Sequence, residues 1–138
     1  MSFTDLRLET ERLLLRPVVE RDASALYAIF SDPAVMRYWS SPPWTRIEQA
    51  HEMIAEDRAA MREGRSVRFG IERRSDGELL GTCSLFTLVL ENRRAEIGYA
   101  LAHRAWGQGY MHEALVALVR YAFSGLGLNR LEADIDPR

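Results

Sequence analysis

The chain is short of cysteine, of long apolar runs and of net charge, and each shortage removes a class of protein. One cysteine, Cys83, stands in 138 residues. That excludes an intrachain disulfide and leaves no cysteine pair for a zinc site, so a reducing cytoplasm is the expected location. No segment approaches the ~20 consecutive apolar residues that span a bilayer. Met1-Ser2-Phe3-Thr4-Asp5 also lacks the cationic and apolar regions of a signal peptide, and no membrane association is expected. A formal net charge of −2 gives no general attraction to nucleic acid. Neither His103 nor His112 has a second histidine at metal-ligand spacing, and no metal is expected. What remains is 47% hydrophobic, enough for one core, and residues 1–138 read as one soluble domain without repeats, linkers or low-complexity tracts.

Local patterning sets the order of elements. Leu6 to Val18 reads as a strand broken near Thr10-Glu11. Ala23, Leu26, Tyr27 and Phe30 fall at helical spacing, so Glu20 to Phe30 is predicted as a helix ended by Asp32-Pro33. A connection from Pro33 to Thr45 carries Tyr38, Trp39 and Trp44, which either wrap over the core or line a groove. Thr45 and Glu48 have the spacing of a capping box for a helix to about Glu63, with Ile47, Met53, Ile54 and Met61 on its buried side. Ser75-Asp76-Gly77 is the strongest hairpin signal, between strands Val67 to Arg73 and Leu79 to Leu90. A third strand, Ala95 to Leu101, follows a turn at Glu91-Asn92-Arg93. A long amphipathic helix, Tyr110 to Phe123, precedes a last short strand, Arg130 to Ile135.

Between the third strand and that helix lies Arg104-Ala105-Trp106-Gly107-Gln108-Gly109-Tyr110. Strand, glycine-bearing turn and helix N-terminus together form a backbone anion site. The first N–H groups of a helix lack intrahelical acceptors, and the macrodipole places partial positive charge there. Glycines at alternate positions permit a sharp turn and let a phosphate approach the main chain. A P-loop would need Gly-Lys-Ser/Thr, which is absent, and a dinucleotide fold would place its turn after the first strand of a parallel unit. The turn is therefore expected to hold the pyrophosphate of a nucleotide-bearing cofactor.

In its context the turn resembles motif A of the GNAT acetyltransferase superfamily, Arg/Gln-x-x-Gly-x-Gly/Ala. The longer strings Ala95-Glu96-Ile97-Gly98-Tyr99, Trp106 to Tyr110 and Glu113-Ala114-Leu115 are similar to its RimJ/RimL-like branch, as are Glu9 to Pro17 and Gly81-Thr82. The resemblance covers nearly the whole chain. It implies an α+β fold: a GNAT-like, mostly antiparallel central sheet with helices on both faces. It implies acetyl-CoA as co-substrate, with pantetheine pairing to Tyr99, Ala100 and Leu101 and the pyrophosphate taken by N–H groups between Ala105 and Tyr110 (Ala105, Trp106, Gly107, Gln108, Gly109, Tyr110).

The activity implied is N-acetyl transfer to a primary amine, either a protein N-terminus or a small molecule, by direct attack in a ternary complex. Such attack needs a neutral amine, and amine pKa values of roughly 7.7–10.4 call for a base. Glu96 is the candidate, at the start of the pantetheine strand, in a role that the branch often gives to a glutamate. The other reading is a strand-end carboxylate paired to Arg93 or Arg94. Tyr38, Trp39 and Trp44 are the candidate acceptor wall. Ser84 is more simply satisfied by backbone, His51, His103 and His112 lie on the surface, Tyr121 joins the helix stripe, and Cys83 is a buried residue rather than a nucleophile.

Relatives continue beyond the last strand with a helix and two strands that usually supply the general acid, so the domain is expected to be truncated at its C-terminus. The sequence is then either a fragment or one whose gap a partner chain fills; for a chain that short, self-association through the exposed strand edge, as a homodimer, is expected. The alternative function is a non-catalytic acyl-CoA-binding or assembly module that lacks the acid.

Overall fold

The computed structural model describes residues 5–37, 41–89, 93–128 and 130–133; Tyr38 and Trp39 lie outside them. The chain enters on the broken strand that the sequence predicts. β1 (Leu8–Glu9) pairs antiparallel with β2 (Leu13–Pro17). Thr10 makes the break: its N–H donates to the Leu13 carbonyl at 2.9 Å, and the Leu13 N–H donates to its hydroxyl at 3.0 Å.

A buried ionic knot joins β2 to the first helix. The Arg16 guanidinium donates to both oxygens of Asp22, at 2.8 and 3.0 Å, and through Nε to Glu72 at 2.9 Å. Arg16 is 6% exposed and Asp22 4%, so neither charge has water to fall back on. Hydrogen bonding to Asp22, partly opposed by burial, holds the Arg16 pKa above its usual value. Asp22 also accepts the Val19 N–H, closing a single 3-10 turn (Glu20–Asp22) that leads into α1 (Ala23–Phe30).

Two expectations about the following stretch need correction. The Asp32-Pro33 pair ends α1 but also starts α2 (Pro33–Met36), because Asp32 Oδ1 accepts the Ala34 N–H at 2.9 Å and proline suits a first helical position. The Thr45/Glu48 capping box does not form. Gln49 Oε1 instead accepts from the N–H groups of Thr45 (2.7 Å) and Arg46 (3.0 Å), and α3 runs over Glu48–Arg62. Ile54 and Met61 are buried as expected, whereas Ile47, before the first turn, is exposed.

β3 (Val67–Arg73), β4 (Leu79–Val89) and β5 (Arg94–Leu101) form an antiparallel meander. After β5 come a 3-10 turn (His103–Ala105), α4 (Tyr110–Arg120), a π turn (Tyr121–Gly125) and β6 (Arg130–Ala133). The sheet order is β1-β2-β3-β4-β5-β6, antiparallel except for β6, which runs parallel to β5. Such a parallel pair requires a crossover, and α4 supplies it.

Helices cover both faces. Leu13, Leu15, Phe69, Ile71, Cys83 and Leu85 meet Ala114, Leu118 and Ala122 of the α4 side, with Tyr121 packed partly buried against them. On the opposite face Val18, Leu26, Ile29, Phe30, Ile54 and Ala100 form the core beneath α1 and α3. Among the described residues no helix is long and apolar enough to cross a membrane.

Candidate active site at the end of the fifth strand

Strand alternation decides which backbone groups of β5 are free. The Ala102 N–H donates to the Leu80 carbonyl at 2.8 Å. Counting back by twos in the β4–β5 register, Ala100, Gly98 and Glu96 turn their N–H and C=O groups toward β4, while Ile97, Tyr99 and Leu101 turn theirs away. Among the described residues β6 pairs with β5 only from Arg94 to Ile97. Past Ile97 the outward groups of Tyr99 and Leu101 have no strand partner among the described residues. The Leu101 carbonyl already accepts the Trp106 indole N–H at 2.8 Å. Of the three residues expected to pair with pantetheine, Ala100 is therefore corrected: its backbone belongs to Thr82.

The turn after β5 leaves a run of unused donors. The Ala105 and Trp106 N–H groups bond internally, to the Ala102 (2.9 Å) and His103 (3.1 Å) carbonyls. They are withdrawn from the expected phosphate set. Gly107 and Gly109 take φ of 78° and 79°, the left-handed region that glycine enters without strain. The next bonded N–H is that of Glu113, to the Gly109 carbonyl at 3.1 Å. Gly107, Gln108, Gly109, Tyr110, Met111 and His112 thus present N–H groups without an acceptor among the described residues. A side chain on Gly107 would meet no protein atom within 4 Å. The space beside Gly107 is open.

One side of the turn is closed by the start of β2. Arg12 donates through Nε to Glu113 Oε1 at 2.7 Å and through Nη1 to the Gln108 carbonyl at 3.0 Å. Its guanidinium carbon sits 4.4 Å from the Tyr110 ring centre. Glu113 Oε2 accepts from the Arg12 N–H at 2.9 Å and from the Thr10 hydroxyl at 2.5 Å. Burial works against ionisation of Glu113, but the hydrogen bonds from Thr10 and Arg12 outweigh it and its pKa is lowered. Sequence reasoning picked out residues 9–17 and 113–115 separately, with nothing to join them across the fold.

On the α1/α3 face, side chains rather than backbone define the surface. Arg68, Ser84 and Gly98 are register partners across β3, β4 and β5. Glu96 lies two residues along β5, on the same face by alternation and one residue before the described pairing with β6 ends. Among the described residues Glu96 has no ion pair, so neither Arg93 nor Arg94 neutralises it. Ser84 is buried, with its hydroxyl 3.4 Å from the Gly98 carbonyl. Arg68 Nε lies 2.9 Å from Asp57 Oδ2, an ion pair whose geometry forms no hydrogen bond to either buried atom. Burial raises the Asp57 pKa, Arg68 opposes the rise and Glu56 adds to it.

A groove of about 250 Å³ opens beside this row, lined by Phe30, Met36, Trp44, Glu52, Glu56 and Arg68. Trp44 stacks on Phe30 at 4.8 Å and also lines the groove. The remaining candidates lie elsewhere. His51 pairs with Glu20 at 2.7 Å on the surface, and exposed His103 meets the Trp106 ring edge-on at 4.4 Å. The His112 side chain is exposed although its N–H belongs to the open run. Cys83 is fully buried, which pushes its thiol pKa up to about 12, so it supplies no thiolate.

Comparison with known proteins identifies the family. Residues 12–138 match the Acetyltransferase (GNAT) domain. The uncharacterised N-acetyltransferase YoaA of Bacillus subtilis (strain 168) is 44% identical over 128 residues, which cover 93% of this chain and 72% of YoaA. A presumptive ribosomal-protein-serine acetyltransferase of Vibrio cholerae has a similar structure, with a TM-score of 0.88 at 28% identity. The match covers 100% of this chain and 78% of that one. Mycobacterium smegmatis RimJ, in complex with CoA-disulfide, matches with a TM-score of 0.81 at 28% identity, over 91% of this chain and 63% of RimJ. The chain belongs to the GNAT family of N-acetyltransferases, with RimJ-like enzymes among its relatives.

Proposed function

We propose that this acetyltransferase moves the acetyl group of acetyl-CoA to a primary amine, a protein N-terminus or a small molecule, in the cytoplasm. The observation that carries the proposal is the run of six consecutive N–H groups, Gly107 to His112, that have no acceptor among the described residues and directly follow the part of β5 left without a described strand partner. The donors fit a diphosphate: they are consecutive, they crown the positive end of α4, and nothing from the protein fills the space before Gly107. The outward groups of Tyr99 and Leu101 would take the amide-bearing pantetheine arm as an added strand.

Acetyl-CoA supplies the thioester: its C–S bond breaks as the neutral amine nitrogen bonds the acetyl carbon, and the departing thiolate becomes CoA thiol by taking the second proton that the nitrogen sheds on becoming an amide. Glu96 takes the amine proton, directly or through one water, which the resting ammonium must lose before nitrogen can attack. Trp44 and Phe30 provide an apolar wall for the acceptor, and Glu52 and Glu56 line the same groove with negative charge that favours a cationic amine. Of the two outward N–H groups, at Tyr99 and Leu101, the one not paired to the pantetheine arm would polarise the thioester carbonyl oxygen.

The test is CoA thiol release from acetyl-CoA with a panel of N-terminal peptides, polyamines and amino acids. Amine-dependent release supports the reading. Absence of release with every amine, in protein that binds CoA, contradicts it. The chain itself contains no lysine, so acetyl label on an added protein cannot be confused with labelling of the enzyme's own side chains.

A further inference from the structure

We infer that Arg12 is a positioning residue for the diphosphate site, acting by fixing the orientation of the Gln108–Gly109 peptide. This rests on the reading that the turn holds a diphosphate. A trans peptide carries its C=O and N–H on opposite sides. Arg12 Nη1 holds the Gln108 carbonyl at 3.0 Å, so the Gly109 N–H points away from Arg12, toward the open side of the turn. Without that bond, a peptide leading into the left-handed Gly109 has little to prevent it from flipping and presenting a carbonyl to the phosphate.

Arg12 is itself held from three directions. Glu113 grips its Nε and its main-chain N–H, and its plane lies against the Tyr110 ring. Nη2 sits 3.4 Å from where a Cβ on Gly109 would stand, so the guanidinium covers the closed side of the turn. A second effect follows from charge. Glu113 stands in the first turn of α4, beside the donors meant for an anion, and Arg12 neutralises it. A planar fork reaching Glu113 and the Gln108 carbonyl together is a property of arginine that lysine cannot reproduce.

The experiment compares CoA with pantetheine, which lacks the diphosphate, by calorimetry and displacement on Arg12→Ala, Arg12→Lys and Arg12→Ala/Glu113→Gln. Arg12→Ala should weaken CoA binding roughly tenfold or more, as expected on losing a charge-assisted bond that sets donor geometry, and leave pantetheine affinity unchanged. Arg12→Lys should show most of the same selective loss. The double variant, free of the unpaired Glu113 charge, should remain defective if peptide orientation dominates. Equal weakening of both ligands in Arg12→Lys, or an unchanged CoA-to-pantetheine ratio, overturns the inference. Should Arg12→Ala fail to fold, Arg12→Lys decides. If the unmodified protein binds CoA no better than pantetheine, the diphosphate reading itself fails, which separates the two claims.

Discussion

The two ends of the candidate site are built from different materials. Toward α4, the site is main chain: outward N–H groups of Tyr99 and Leu101, then six donors from Gly107 to His112. Toward α1 and α3, it is side chain: Arg68, Ser84, Glu96 and Trp44, drawn from three strands and the connection before α3. On the proposed function, the backbone end would recognise what every acyl-CoA shares, a diphosphate and amides. A side-chain end can change with each substitution. The contrast suits an enzyme family with one donor and many acceptors.

The largest expected effect falls outside both halves, in the ionic knot that joins β2 to α1. Arg16→Ala leaves the buried Asp22 and the half-buried Glu72 without their cation and should lower unfolding free energy by about 3–5 kcal/mol, read by urea denaturation. A loss below about 1 kcal/mol would mean that the knot matters less than its burial implies. Next comes the backbone half. Gly107→Asp puts a carboxylate into the open space beside that position, where like charges about 6 Å apart repel by about 3 kcal/mol at an effective dielectric near 20. CoA should then bind roughly a hundredfold more weakly. Gly109 is the poorer choice, because an aspartate there would meet Arg12.

Glu96→Gln tests whether the two halves have separate duties. CoA affinity should stay unchanged, while turnover drops by about a hundredfold below the amine's pKa and recovers as the amine deprotonates unaided. An unaltered pH–rate profile removes Glu96 from the mechanism. The smallest effect lies in the hairpin turn. The hydrogen bond from Arg73 lowers the Asp76 pKa to about 2, below the unfolded value, so its contribution is present above about pH 4 and is lost as pH falls toward 2. Asp76→Asn should flatten the acid limb of stability in that window. The raised Asp57 pKa slopes the other way, its contribution falling as pH rises above about 4. A curve steeper without Asp76 would contradict the assignment.

The backbone half was legible in the sequence because local rules write it. The glycine turn, the strand β3 at Val67–Arg73 and the break near Thr10 all rest on near-neighbour geometry. Even there the free donors fall at Gly107–His112 rather than Ala105–Tyr110, because the 3-10 turn His103–Ala105 takes up two N–H groups that spacing cannot assign. The side-chain half was largely illegible. Glu96 and Trp44 stood out by residue type, but Arg68 with Asp57, Arg16 with Asp22 and Glu72, and Arg12 with Glu113 are partners set by sheet register and helix packing, up to 101 positions apart. Proline after aspartate likewise concealed α2 by looking only like a stop.

The central claim is that the bare backbone of one turn takes the diphosphate. It is tested most directly by following backbone amides in an NMR titration with CoA. The account predicts large, saturable shifts for Gly107 to His112, joined by Tyr99 and Leu101, and their loss in the first group when pantetheine replaces CoA. Unmoved Gly107–His112 amides at saturating CoA, with shifts clustered elsewhere, would contradict it.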